Sequence, residues 1–244
     1  VEFWAKAIRL PLRALPPGMV LPILTGRLRG RKWIVGSGVH SCWIGSYELE
    51  KQRAFAQVTS LGATVLDLGA NVGFYTLLAG KLVGSSGHVY AFEPVPRNLQ
   101  YLRRHIALNG LTNVTVIEAA ICNANGQRRF KFHKSAAMGH LSDNGQVEVN
   151  TVTLDHFVFR SGIAPNTIKI DVEGAEFSVL QGAREVLSQH RPELLLATHS
   201  RALRSQCLDL IAAHGYTVRV IGTSDGDGAD EFLASHHERS GGGV

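Results

Sequence analysis

From Thr64 onward, short β-rich runs alternate with helical ones, and that alternation leaves few folds open. Strand, helix and next strand close into one sheet through a right-handed crossover, so repeated units build a mostly parallel sheet with helices on both faces. Strands are expected at Thr64–Leu68, His88–Phe92, Val114–Glu118, Thr167–Asp171, Glu193–Thr198 and Tyr216–Ile221. Helices are expected at Phe74–Leu82, Pro96–Asn109, Ala175–His190 and Arg201–His214. The interval from Glu118 to Thr167 breaks the rhythm, because Arg128–His133 and Val147–Leu154 alternate like paired strands around a Gly- and Ser-rich loop. It reads as a β-rich insertion over residues 119–166, and Asp230–Ser235 reads as a last edge strand.

Ahead of this region, Phe3, Trp4, Ile8 and Leu12 interleave with Lys6, Arg9 and Arg13 before a break at Pro16-Pro17-Gly18. The pattern fits a short amphipathic helix packed across the main domain. It is also what a membrane-surface helix carries, so residues 1–15 are a candidate for peripheral membrane contact. Arg31–Gly36 and His40–Gly45 read as a hairpin around Ser37-Gly38. With 244 residues, the expected organisation is an N-terminal segment at 1–57, one domain at 58–236 and a flexible tail at 237–244. Apolar residues at 45% and charged ones at 18% supply a core. No run of 18 apolar residues crosses a bilayer, and Cys42, Cys122 and Cys207 stand too far apart for a zinc motif or disulfide framework. A cytoplasmic protein is expected. The net charge of +5 is spread along the chain; its densest cluster, Arg27, Arg29, Arg31 and Lys32, reads as a solvated loop and strand edge.

Val65 to Phe74 is an apolar strand, a glycine turn and a helix start, the place where a Rossmann-like domain binds its nucleotide. The spacing Gly69-x-Asn71-x-Gly73 with Asp67 before it departs from the G-x-G-x-x-G of an NAD site. A carboxylate there repels a pyrophosphate but suits a ligand bearing an ammonium and a sulfonium, and S-adenosylmethionine is such a ligand. Glu93, one βαβ step later at the end of the next strand, can accept both hydroxyls of a ribose. Glu118 and Ala119, ending the third strand, are expected beside the adenine. Thr76, Pro94 and Asn98 complete the expected cofactor-binding set.

These residues resemble a known family. Asp67-Leu68-Gly69-Ala70-Asn71-Val72-Gly73, then Phe92-Glu93-Pro94 with Arg97-Asn98-Leu99, and above all Ile168-Lys169-Ile170-Asp171-Val172-Glu173-Gly174-Ala175-Glu176, are similar to FkbM-type methyltransferases over roughly residues 40–220. The resemblance implies a class I methyltransferase fold, a doubly wound, mostly parallel seven-stranded sheet. It further implies methylation of a hydroxyl on a sugar, glycolipid or natural product, with S-adenosylhomocysteine as the second product. It suggests that Trp43 to Glu48 folds over the cofactor. Many members carry an acidic residue near the end of the fifth strand, where this chain has Ala197-Thr198-His199-Ser200, which leaves the base open.

Methyl transfer from a sulfonium is an in-line displacement, and a hydroxyl acceptor must lose a proton. Asp171 closes the fourth strand with Glu173 just beyond it, and both are expected in the site, Asp171 toward the cofactor as well as the chemistry. Glu176 is read as structural, at a helix start. His199 closes the fifth strand with an ordinary pKa suited to a base, and His40 is its rival. Asp171, Glu173 and His199 offer oxygen and nitrogen ligands to a divalent metal, although nothing in the sequence demands one. The chain lacks an Asn/Asp-Pro-Pro-Tyr/Phe block and a Pro-Cys nucleophile, which disfavours DNA base methylation, and a close cysteine triad for radical chemistry. The weaker alternatives are a tRNA methyltransferase and an inactive methyltransferase-fold binding protein.

Overall fold

The computed structural model describes residues 15–132, 139–142, 144–222 and 230–236; the expected amphipathic helix before Pro16 and the tail at 237–244 lie outside them. A seven-stranded sheet forms the centre: β3 (Thr64–Leu68), β4 (His88–Phe92), β5 (Val114–Ile117), β10 (Thr167–Ile170), β11 (Glu193–Thr198), β12 (Tyr216–Ile221) and β13 (Asp230–His236). The spatial order is β12-β13-β11-β10-β3-β4-β5, parallel except for β13. The order reverses between β3 and β10, so their carboxyl ends open the crevice where such sheets bind ligands.

Side chains alternate across this sheet. Leu66, Leu68, Ile168 and Ile170 enter one core with α6 (Glu176–Gln181), α7 (Arg184–Gln189) and α8 (Arg201–Ala213). Val65, Val89, Leu195 and Leu233 enter the opposite core with α3 (Phe74–Val83) and the N-terminal segment. That segment comprises β1 (Val20–Pro22), β2 (Lys32–Ile34), α1 (His40–Ile44) and α2 (Leu49–Val58). Its β2 docks on α4 (Pro96–Leu108) through Trp33, stacked on His105 with ring centroids 4.0 Å apart, and through the Ile34 N–H, which donates to His105 Nε2 at 3.0 Å. Among the described residues, no helix is long and apolar enough to cross a membrane.

The region at 119–166 builds its own four-stranded sheet in the order β6-β9-β7-β8, from β6 (Ala120–Ile121), β7 (Gly126–Phe132), β8 (Gly139–Leu141) and β9 (Val147–Val152). The β7–β9 pairing is antiparallel, as the alternation suggests.

Four expectations need correction. His40–Gly45 is not a strand: α1 turns the adjacent Cys42 and Trp43 both inward, which a strand with one wet face cannot do, and β2 pairs instead with β1. β13 is interior, between β11 and β12, and the unbroken apolar run Phe232-Leu233-Ala234 is what burial on both faces requires. The helix expected over Ala175–His190 is two helices, parted at Gly182, where a Cβ would collide with the Cys122 carbonyl. Leu154 belongs to an unforeseen helix, α5 (Leu154–Ser161), started by Thr153, whose hydroxyl accepts from the His156 N–H at 3.2 Å.

Candidate active site at the carboxyl edge of the sheet

A cavity of about 410 Å³ opens above the carboxyl ends of β3, β4 and β10. Gly69, Ala70 and Asn71 form its floor; Glu93, Pro94, Arg97 and Asn98 one side; and Asp171 and Glu173 another. Ser37, Val39 and Tyr47 wall it from the N-terminal segment, and Ala119 and Phe130 from the region of the second sheet.

The glycine turn is built by backbone proximity. Gly69 has φ +77, and a Cβ there would collide with the Asp171 carbonyl, so only glycine lets β3 and β10 end this close together. Asn71, at φ 51, donates its N–H to Glu93 Oε2 at 2.8 Å and thereby ties the turn to β4. Glu93 Oε1 accepts from the Val95 N–H at 2.9 Å and from Asn98 Nδ2 at 3.2 Å. Burial outweighs these donors and pushes the Glu93 carboxyl up to about 7.

Asp67 and Lys169 are paired in register on adjacent strands and point to the same face. Lys169 Nζ lies 3.4 Å from Asp67 Oδ1, and Thr76 Oγ1 donates to Asp67 Oδ2 at 2.6 Å. Lys169 also donates to the Gly69 carbonyl at 2.8 Å, bracing the turn from below. A second lysine, Lys51 of α2, is 2% exposed and reaches Asp171 Oδ2 at 3.1 Å, Glu231 Oε1 at 2.7 Å and Glu48 Oε2 at 3.3 Å. Burial alone would raise the Asp171 carboxyl, but Lys51, then Lys169 and His199, hold it well below the usual carboxylate range.

His199 extends from the end of β11 toward three carboxylates. Its Nδ1 is 3.0 Å from Glu176 Oε1, and its Nε2 is 3.7 Å from Asp171 Oδ1 and 3.6 Å from Glu173 Oε2. The hydrogen bond to Glu176, working against burial, raises His199 to about 9, with the charges of Glu176, Asp171 and Glu173 adding to it. At neutral pH the ring is therefore cationic in the free protein, which changes the expectation of a ready base.

Of the expected residues, Gly69, Asn71, Glu93, Pro94, Asn98, Ala119, Asp171 and Glu173 line the cavity. Asp67, Gly73, Thr76 and Glu118 stand off its lining. Asp67 and Thr76 are fully buried against each other, so the Asp67 carboxylate is committed to Lys169 and is not presented to a ligand's ammonium. Gly73 allows α4 to approach, since a Cβ would meet Leu102 Cδ1 at 2.7 Å. Glu118 is exposed and paired with Arg103. His40 accepts from Trp43 Nε1 at 3.2 Å and also lies off the cavity lining. Within Trp43–Glu48, Tyr47 faces the cavity, while Trp43 is packed in the core and Glu48 accepts from the Tyr75 hydroxyl at 3.0 Å. Lys51, Lys169 and Glu231 carry no motif that marks them as site residues in the sequence. A lysine between Ile168 and Ile170 in a buried strand was nevertheless a readable signal, because lysine is almost never fully buried unless paired.

The family model described as the methyltransferase FkbM domain matches residues 67–236. The chain is 25% identical over 193 residues to 31-O-demethyl-FK506 methyltransferase FkbM of Streptomyces tacrolimicus, covering 64% of this chain and 74% of that one. It is 27% identical over 124 residues to hexuronic acid methyltransferase AglP of Haloferax volcanii, with half of each chain covered. In fold it is similar to methyltransferase FkbM from Methylobacillus flagellatus, with a TM-score of 0.53 at 19% identity, covering 75% of this chain and 50% of that one. The chain thus spans about half the length of some of the proteins it matches. With the switch-point cavity in place and the family model extending over most of the sheet, the chain belongs to the FkbM family of S-adenosylmethionine-dependent methyltransferases.

Proposed function

We propose that this chain transfers a methyl group from S-adenosylmethionine to a hydroxyl of a sugar, glycolipid or natural-product acceptor. One observation carries the reading: a single cavity joins a buried carboxylate at the end of β4 to Asp171 and Glu173 beyond β10. Its volume lies within the roughly 300–1,000 Å³ range of small-molecule sites. The donor set fits the cofactor. Glu93 offers a carboxylate to ribose hydroxyls, the turn at Gly69–Asn71 offers close backbone approach, and the acidic edge at Asp171 and Glu173 suits a cationic ligand. Bound there, S-adenosylmethionine supplies an electrophilic methyl group carried on sulfur.

The protein's own contribution is alignment and proton handling. Glu93, held by Asn71, Val95 and Asn98, orients; Lys51 and Lys169 fix Asp171. His199, kept cationic by Glu176, is suited to stabilise charge developing on an acceptor oxygen. Asp171 and Glu173 both line the cavity, and a carboxylate there is suited to accept the hydroxyl proton. The walls from Val39, Tyr47, Ala119 and Phe130 are largely apolar and exclude water around the acceptor. Of the two relatives named above, the one for 31-O-demethyl-FK506 supports transfer to an oxygen, and the one for a hexuronic acid supports a sugar acceptor.

Calorimetric titration with S-adenosylmethionine, S-adenosylhomocysteine and NAD, on wild-type protein and Glu93→Gln, tests the cofactor half. The first two ligands are expected to bind, more weakly in the variant, and NAD is not. Methyl transfer from labelled cofactor to the hydroxyls of uronic acids and to 31-O-demethyl-FK506 tests the acceptor half. Binding of the cofactor with label delivered only to RNA would overturn the hydroxyl-acceptor reading.

A further inference from the structure

We propose that Asp171, Glu173 and His199 form a binding site for a divalent cation of the Mn²⁺ class at the margin of the cavity. The site's use in catalysis rests on the methyl-transfer reading above; its existence does not. One ligand atom from each residue lies within 4.8 Å of the other two. His199 Nε2 stands 3.7 Å from Asp171 Oδ1 and 3.6 Å from Glu173 Oε2, beyond the roughly 2.7–3.2 Å of a hydrogen bond. Those gaps are close to what neighbouring ligands span around a shared ion with bonds of about 2.0–2.2 Å. Small side-chain shifts close the set.

Two further observations point to a cation. Glu176 is fully buried, its Oε1 takes the N–H groups of Val172 and Gly174 at 3.2 and 3.1 Å as well as His199 Nδ1, and its Oε2 has no hydrogen-bond partner among the described residues. This is the outer carboxylate that orients a metal-binding imidazole: Glu176 holds the Nδ1 proton, so a cation entering between Nε2 and the two cavity carboxylates would displace the Nε2 proton to solvent and take its place. The second is the placement of the lysines. Both lysines approach Asp171 through Oδ2, whereas Oδ1 faces His199. The oxygen that a cation would use is thus the one that the lysines leave alone. Two carboxylates and one imidazole are a mixed oxygen and nitrogen donor set, which favours first-row transition ions such as Mn²⁺ over Mg²⁺ and Ca²⁺. A cation there faces the cavity through Asp171 and Glu173 and would favour loss of a proton from a hydroxyl brought beside it.

The test is a Mn²⁺ titration of the chelator-stripped full chain, without cofactor or acceptor, read by the electron paramagnetic resonance signal of free Mn²⁺. One bound Mn²⁺ per chain is expected. Binding should weaken at least about tenfold in Glu173→Gln and in His199→Ala, as for loss of a metal-supporting group, and stay unchanged in Glu118→Gln. Glu173 is about one-third exposed, so Glu173→Gln keeps the fold even where a change at His199 does not. Absence of binding, or binding indifferent to Glu173→Gln, overturns the proposal. Calorimetry with S-adenosylmethionine on the same metal-free protein separates the two readings: cofactor binding without Mn²⁺ binding removes the metal site alone.

Discussion

Glu93 is 4% exposed, and burial holds its carboxyl near 7 against an ordinary 4.5. Between those values the unfolded chain has released a proton that the folded chain keeps, so stability declines as pH rises through the window. The total is roughly 3 kcal/mol. Hydroxyl donors reaching that carboxylate favour its ionised form, so cofactor binding near pH 6 should expel a proton. Calorimetric enthalpies in buffers of different ionisation heat would read it, and identical enthalpies would remove Glu93 from the ribose site. Asp67 invites a different expectation. It is legible as a carboxylate near the end of an apolar strand, yet its partner lies on the neighbouring strand β10, about 100 residues on in sequence, and strand register is not written in local sequence. Because it balances the buried Lys169, Asp67→Asn should cost about 3 kcal/mol in urea unfolding, with weaker cofactor binding following from a disturbed turn. A loss below about 1 kcal/mol would mean that the Gly69 carbonyl and Asp171 satisfy Lys169 by themselves. Glu93 needed no such partner to be recognised, since its three N–H donors all come from the same strand–turn–helix stretch or the turn beside it.

Among the elements, those whose pattern is local were readable and those fixed by packing were not. β3, β4, β11 and β12 have the bounds that alternation and apolar runs imply. The β1–β2 ribbon instead takes its position from α4. His105 Nδ1 lies 2.7 Å from the Val72 carbonyl while Nε2 receives the Ile34 N–H, and both bonds are satisfied only by a neutral ring. Burial accordingly lowers His105 to about 4 from 6.5. The stabilisation is complete above 6.5 and is lost as pH falls through 4, about 3 kcal/mol in all. Glu93 works in the opposite sense across part of this range, so the useful quantity is a difference: wild type minus His105→Gln, by urea unfolding at pH 7 and at pH 4. Amide exchange at Ile34 should accelerate on acidification in wild type. A difference that does not change with pH would show that the ribbon is held by Trp33 packing alone.

At the scale of the whole molecule, three parts of the chain distant in sequence meet at one cavity: the carboxyl edge of the main sheet, the segment around Gly36–Tyr47, and the second sheet through Phe130. A ligand that binds only this assembled form stabilises all three parts together. At a hundredfold excess over its dissociation constant the gain is about 2.7 kcal/mol. For a domain of this size, each kcal/mol raises Tm by about 2–4 °C, so S-adenosylhomocysteine should raise it by roughly 5–10 °C while NAD leaves it unchanged. The location of the protection distinguishes the architecture further. If the walls close on the ligand, amide exchange should slow both at Ser37–Tyr47 and at Ala119–Phe130, as well as at Gly69–Asn71. Protection confined to Gly69–Asn71 and Glu93 would place the cofactor on the sheet edge alone. The two walls would then be left to the acceptor, and a second round of protection should appear there only when acceptor and S-adenosylhomocysteine are both present.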